Sequence, residues 1–208
     1  VYLEMDSDIV KLIDKVNVKW GEITYEDRKY KATPHTAKHP IGTVTIDGAI
    51  VFAKYYGGDI PKQDEFIRAY RGDKKSVFIW DNIVGNFDDD LNKAELGKYA
   101  NFNKSGDPYS NDGTTPVGFF DGKLKRKFQT KDGVSPFGCY DLIGNVNEWV
   151  KNYSPPLSRF SADGYISTVS IGGDWFHLPR YMILDDGIAA GGDLANYESG
   201  FRVVYRLK

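Results

Sequence analysis

Apolar residues come in short runs separated by turn residues, and their period changes from run to run. Between Ile9 and Ile23, Val10 and Leu12, then Val16, Val18 and Trp20, alternate on one phase, which predicts two short strands. A helix capped by Asp8 and carrying Ile9, Leu12, Ile13 and Val16 fits the same residues. Thr24 followed by Asp27 predicts a short helix reaching Tyr30, and Lys31 to Pro40 reads as loop. Asp47 is placed to cap a helix through Ile50, Phe52, Ala53 and Tyr56 that Gly57-Gly58 stops. Pro61 opens another, with Phe66, Ile67 and Tyr70 on one face and Arg71-Gly72 at its end. From Asp73 to Lys131 the periodicity fades, while Trp80, Phe87, Tyr99, Phe102 and Tyr109 recur as anchors. That combination predicts irregular but packed structure. Within it, Asp88-Asp89-Asp90 reads as a solvated acidic turn and Lys123 to Lys127 as a hairpin tip. The end of the chain, Gly200 to Leu207, alternates like a half-buried closing strand.

Composition narrows the class. The chain has 208 residues, enough for one domain with a real core. Aromatics at 14% together with 22 glycines favour many short elements over a helix bundle. A net charge of -2 gives no reason to expect nucleic acid as a partner. No apolar run approaches the ~20 residues of a membrane span. Val1 is not a methionine, which leaves room for an upstream segment, and no signal peptide is visible. The compartment stays open between cytosol, virion and cell surface. The single Cys139 lies in an apolar setting that suits a buried, inert thiol. His35 and His39 have metal-compatible spacing, but Pro34 and Pro40 bracket them and argue for a loop.

The densest chemistry runs from Phe137 to Val150. Asp141 and Glu148 flank Gly144-Asn145, a dipeptide that invites a tight turn. A bend there aims both carboxylates and one or two backbone carbonyls at a common point, an all-oxygen set that suits Ca²⁺. A turn whose acids are merely solvated fits the same residues.

The order of the pieces carries a resemblance. Ile46 to Gly58, Ile60 to Phe66, Arg71-Gly72, Ala100-Asn101-Phe102, Thr114 to Gly118, Phe137 to Trp149, Gly172-Gly173-Asp174-Trp175 and Gly200-Phe201-Arg202 follow one another. This series resembles the formylglycine-generating-enzyme (sulfatase-modifying factor) superfamily from about Gly21 to Lys208. The resemblance implies an α+β fold of the C-type lectin kind, rich in irregular structure, filling 1–208 as a single domain. It implies structural Ca²⁺, one ion held by the Asp141 and Glu148 side chains and the Gly144 and Val146 carbonyls. A second ion would take the Asn101 and Asp107 side chains and the Phe102 and Tyr109 carbonyls. Asn147 stands where the family usually has an aromatic residue. The resembling enzymes activate oxygen on copper held by a cysteine pair. Those positions fall near His177 and Met182 here, and no cysteine follows Cys139. A soft His–Met pair holding copper, and with it a divergent metal-dependent oxidoreductase, is the alternative.

A binding module is the preferred expectation. Some relatives of this fold, notably variable proteins of diversity-generating retroelements, lack catalytic residues and use this C-terminal segment for ligands. By that resemblance Trp175, Gly200, Phe201 and Arg202 are scaffold, with Arg202 a buried or half-buried donor fork. Asp174, Phe176, His177, Leu178, Arg180, Tyr181, Ile183, Leu184, Asp185, Asp186, Asp193, Asn196 and Tyr197 form a ligand face for a protein or other surface ligand. Randomising the adenines of an Asn codon cannot produce Lys, Gln, Glu, Met or Trp, and Asp174 to Tyr197 holds only Trp175 and Met182 from that set. Burial of Phe176, Leu178 and Ile183 in an ordinary core is the competing account.

Overall fold

The fold is built round a short central strand whose side chains serve two cores at once. The computed structural model describes residues 23–26, 29–74, 80, 90–109, 113–151, 169–182, 184, 188–189 and 196–207. In chain order the elements are β1 (Ile23–Glu26), β2 (Lys29–Ala32), α1 (Ile46–Tyr55), α2 (Gln63–Arg71), α3 (Asp90–Leu96), β3 (Leu124–Lys125) and β4 (Phe128–Gln129). Then come β5 (Asn147–Val150), β6 (Val169–Ile171), a 3-10 turn (Pro179–Met182), β7 (Ile188–Ala189) and β8 (Ser199–Gly200). The central sheet runs β7-β6-β5-β8. Strand β5 is antiparallel to β6, with Glu148 opposite Ile171, and parallel to β8, with Glu148 opposite Gly200.

Every residue of β5 is buried. Successive side chains of a strand point to opposite faces, so Trp149 and Val150 enter different cores. Trp149 packs with Ile46, Ala49, Ala53 and Ile60. Val150 joins Phe66, Tyr70, Phe102, Leu142, Ile171, Met182 and Leu184. The buried Trp149 indole N–H is satisfied by the Val44 carbonyl at 2.7 Å.

Several expected elements are present. Helix α2 buries Phe66 and Tyr70, with Ile67 packed beside them, and ends on Gly72 in a positive-φ conformation. Its Glu65 carboxylate accepts the Lys62 N–H at 2.8 Å, closing the first turn. The hairpin tip at Lys123 to Lys127 is formed by β3, Arg126-Lys127 and β4.

Other expectations fail for identifiable reasons. Thr24 to Glu26 and Lys29-Tyr30 lie in the antiparallel strands β1 and β2, with Glu26 opposite Lys29, and not in a helix. Their β-branched and aromatic content favours strand over the weak capping signal. In α1 the cap is Thr45, whose hydroxyl accepts the Gly48 N–H at 3.1 Å, while Asp47 sits in the first turn. The helix buries Ile46, Ala49 and Ala53 and leaves Phe52 and Tyr56 exposed, because small residues let its backbone approach Trp149. The closing strand is shorter than the alternation suggests, since only Ser199–Gly200 joins the sheet and Val204 makes a separate bridge to Asp59. The alternation still sorts side chains: Phe201 and Val203 pack on the Trp149 core, and Arg202 turns to Glu148. The region from Asp73 to Lys131 holds α3. The strand or helix expected over Ile9 to Trp20 lies outside the described residues, as do Phe87, Asp88 and Asp89.

The bridge to Val204 is reinforced at Asp59, whose carboxylate meets Lys54 at 3.2 Å and Arg206 at 3.3 Å and pairs with Lys151. Burial opposes its ionisation, but Lys151, Lys54 and the Ile60 N–H prevail and hold the carboxyl down to about 2. Its folded value lies below the unfolded one, so the stabilisation is present above about pH 4 and fades as pH falls toward 2. Asp59→Asn is expected to cost about 1–2 kcal/mol at neutral pH and progressively less as pH falls toward and through about 2, read from urea midpoints at both ends of that range.

Candidate functional site

The loop before β5 takes its shape from three positive-φ residues, Asp141, Gly144 and Asn145. Its backbone then docks on two neighbouring segments. The Asn145 N–H donates to the Asn101 carbonyl at 2.8 Å, and the Gly144 N–H to the Gly172 carbonyl at 2.8 Å. The Asn145 side chain accepts the Thr115 N–H at 2.9 Å and donates to the Thr115 carbonyl at 3.2 Å. The invited turn is therefore a three-way junction of the 101, 115 and 145 segments.

Asp141 and Glu148 come close enough for the Glu148 charge to act on Asp141. Burial, abetted by Glu148, pushes the Asp141 carboxyl up to about 6, against the Gly118 N–H at 2.7 Å and the positive charge of Arg202. Arg202 grips both Glu148 oxygens. Its Nη2 also donates to the carbonyls of Tyr140 at 3.3 Å and Asp141 at 3.2 Å. A cationic side chain thus already serves the Glu148 carboxylate, and a Ca²⁺ held by Asp141, Gly144, Val146 and Glu148 has to share that group with Arg202.

In the second expected set one oxygen, on the Asn101 side chain, is left without a partner among the described residues. Buried Asn101 donates through Nδ2 to the Gly113 carbonyl at 3.0 Å, while its Oδ1 is buried with no partner among the described residues. An unpaired buried acceptor is costly and is satisfied by a metal or water. Asp107 is buried and accepts the Tyr109 N–H at 2.7 Å and the Ser105 hydroxyl. The Tyr109 carbonyl accepts the Gly113 N–H at 3.2 Å, and the Phe102 carbonyl accepts the Ser105 N–H at 3.0 Å. Among the described residues no three His, Cys, Asp or Glu side chains gather as a metal cluster. Both sets depend on amide and carbonyl oxygens.

The C-terminal segment leaves the core at Gly172-Gly173, both at positive φ. A Cβ on Gly173 would lie 2.6 Å from Met182 Cγ, so the segment folds back tightly on the 3-10 turn. Phe176 is 45%, Tyr181 39% and Tyr197 38% exposed. The Phe176 ring meets those of Trp175 and Tyr197 with centroids 5.7 and 5.9 Å apart, and Tyr181 meets His177 at 5.1 Å. Arg180 is exposed over the Tyr181 ring, Leu178 is half-buried, and Asn196 is half-buried with its carbonyl on Thr43 and Ser199. Asn103 fastens this face from behind, its N–H to the His177 carbonyl at 3.0 Å and its amide to the Phe176 carbonyl at 2.7 Å.

Two residues of the expected face lie beneath it. Leu184 is fully buried in the main core. Asp174 is also fully buried, accepting the Phe176 and His177 N–H groups at 2.9 Å each, the His177 Nδ1 at 2.8 Å, and the Asn147 amide. That carboxylate outweighs burial of the imidazole and raises the His177 pKa. Met182 is a core residue, whereas His177 is half-buried on Asp174. Ile183, Asp185, Asp186 and Asp193 lie outside the described residues. Sequence reasoning missed Glu198, whose carboxyl is raised by burial and by Asp174. It treated Asn147 only as a departure in packing; the signal was a small amide beside a buried acid.

Residues 7–207 match the family described as sulfatase-modifying factor enzyme 1-like domain. The formylglycine-generating enzyme of Mycobacterium tuberculosis is 28% identical over 166 residues, 70% of this chain and 49% of that enzyme, so the chain spans about half its length. PvdO from Pseudomonas aeruginosa superposes with a TM-score of 0.59 at 21% identity, covering 86% of this chain and 64% of PvdO. Treponema denticola variable protein 1 gives 0.47 at 20% identity over 70% of this chain and 46% of its own, a likeness too slight to argue from.

Proposed function

This chain belongs to the sulfatase-modifying factor family, and we propose that it is a non-catalytic member of it, a binding protein that displays a C-terminal contact surface on a calcium-stabilised scaffold. The observation that carries the reading is the group of exposed rings, Phe176, Tyr181 and Tyr197, held over buried Asp174 and tied from behind by Asn103. Rigid aromatics supply large contact area at low entropy cost. The formylglycine-generating relatives belong to a family that includes enzymes. The cysteine pair of the resembling enzymes has no counterpart here, since Cys139 is the only cysteine. Diversification by a retroelement accounts for the amino-acid bias of Asp174 to Tyr197.

Phe176→Ala, Tyr181→Ala and Tyr197→Ala are each expected to change stability by no more than about 1 kcal/mol, because their rings already lie partly in water. Thermal melts check this, and a large loss in any of them makes the face part of the core. Sequencing the final codons across the source population tests diversification. Variation at adenine-derived positions with Trp175 and Gly200-Phe201-Arg202 fixed supports it, and a uniform sequence removes it. Copper or iron bound by the purified chain and lost in His177→Ala would replace the binding reading with an oxidoreductase.

A further inference from the structure

We propose that the aromatic face roofs a site for an N–H-bearing cation, a primary ammonium or guanidinium group, held by Asp174, Glu198, Asn147 and His177. The inference rests on the binding reading above and names the ligand class of the same face. It comes from counting donors and acceptors. Asn147 is fully buried and spends its amide N–H on Asp174, and its Oδ1 then has no partner among the described residues. The Glu198 Oε2 is likewise buried without one. Asn147 and Glu198 are adjacent, the Asn147 N–H donating to the Glu198 carbonyl at 2.8 Å. His177 gives its Nδ1 proton to Asp174, so in the neutral imidazole Nε2 is a third acceptor.

With the imidazole neutral, these three acceptors, one of them an oxygen of the Glu198 carboxylate, stand beside the Asp174 carboxylate. A buried acceptor left unpaired is destabilising, so the complement is a group that brings several donors and a positive charge. A primary ammonium offers three N–H groups and a guanidinium five. Anions are repelled, and a neutral apolar group leaves the oxygens as they are. The rings of Phe176 and Tyr197, tilted against each other at 82°, add what such a cation favours: π faces for its charge and apolar surface for its alkyl stem.

The test titrates the purified chain with n-butylammonium, with its neutral counterpart 1-butanol, and with a blocked Gly-Lys-Gly peptide, following aromatic and amide NMR shifts. Binding of butylammonium or of the lysine peptide at least tenfold tighter than butanol, and weakened at least tenfold by Glu198→Gln, is the expected result. Glu198→Gln keeps the shape and removes the charge, and its melt verifies folding. The tighter of the two cationic probes identifies the source as a free amine or a protein side chain. Equal binding of butanol and butylammonium, no binding of either cation, or indifference to Glu198→Gln overturns the cation site and leaves the exposed face standing as a plain contact surface. Failure of the binding reading itself is read elsewhere, as collapse of the Phe176→Ala and Tyr197→Ala melts.

Discussion

Arg202→Met is expected to destabilise the protein by about 3 kcal/mol, because it breaks a buried pair from one side only. Glu148 would keep a buried carboxylate with neither of its two Arg202 contacts, and the Tyr140 and Asp141 carbonyls would lose a donor. The guanidinium also lies 5.5 Å from the Phe66 ring centroid, which methionine replaces in apolar contact alone. The cost sits at the lower end for a broken buried pair, since Arg202 retains some contact with water. Urea denaturation gives the number, and the double variant Arg202→Met with Glu148→Gln should recover much of it by removing the stranded charge.

The same variant interrogates calcium. An ion bound by Asp141 and Glu148 supplies the positive charge that Arg202 no longer does, so the deficit should shrink in calcium and reappear in chelator. A deficit identical in both conditions removes Glu148 from the ligand set. The wild-type protein should then still melt lower in chelator if Asn101 and Asp107 hold an ion, and Asn101→Ala should abolish that difference. Asn101 is the sharper probe of the two because its Oδ1 has no competing partner among the described residues.

What was legible in the sequence is what local chemistry decides. Helix α2 was readable because Pro61, an apolar face at Phe66 and Tyr70, and Gly72 agree with one another. Helix α1 was readable as a helix but not in its facing. Its buried stripe is Ile46, Ala49 and Ala53, and nothing local says that alanines face Trp149 while Phe52 faces water. The β1–β2 pair was lost to a weak capping signal that strand pairing overrides. The carboxylates of the Phe137 to Val150 stretch were found from their own chemistry. Their partners were not, since Arg202 lies far along the chain and reaches Glu148 only through the parallel pairing of β5 and β8. Asp174 was similarly placed in the right segment but on the wrong side of it. Only the structure shows that its carboxylate turns inward to Asn147 and the following N–H groups.

The junction that organises all of this has a single weakest point, Gly144. Gly144→Ala is expected to cost at least about 3 kcal/mol and to deplete folded protein. Two costs combine there. An alanine at φ +73° carries left-handed strain of about 1–2 kcal/mol. Its Cβ would also stand 2.4 Å from the Asn101 carbonyl oxygen and 3.2 Å from the Asn101 nitrogen, both backbone atoms. That oxygen cannot swing aside freely, because it accepts the Asn145 N–H at 2.8 Å and so holds the 101 and 145 segments together. Gly138→Ala is the control: its φ is +81°, but a Cβ there meets nothing within 4 Å, so it should show the backbone strain alone. Denaturant midpoints for the two variants separate strain from contact. If they lose equal stability, the close approach at Asn101 is not what fixes the junction, and the geometry that brings Asn101 beside the Asp141–Glu148 loop must come from Asn145 and Thr115 instead.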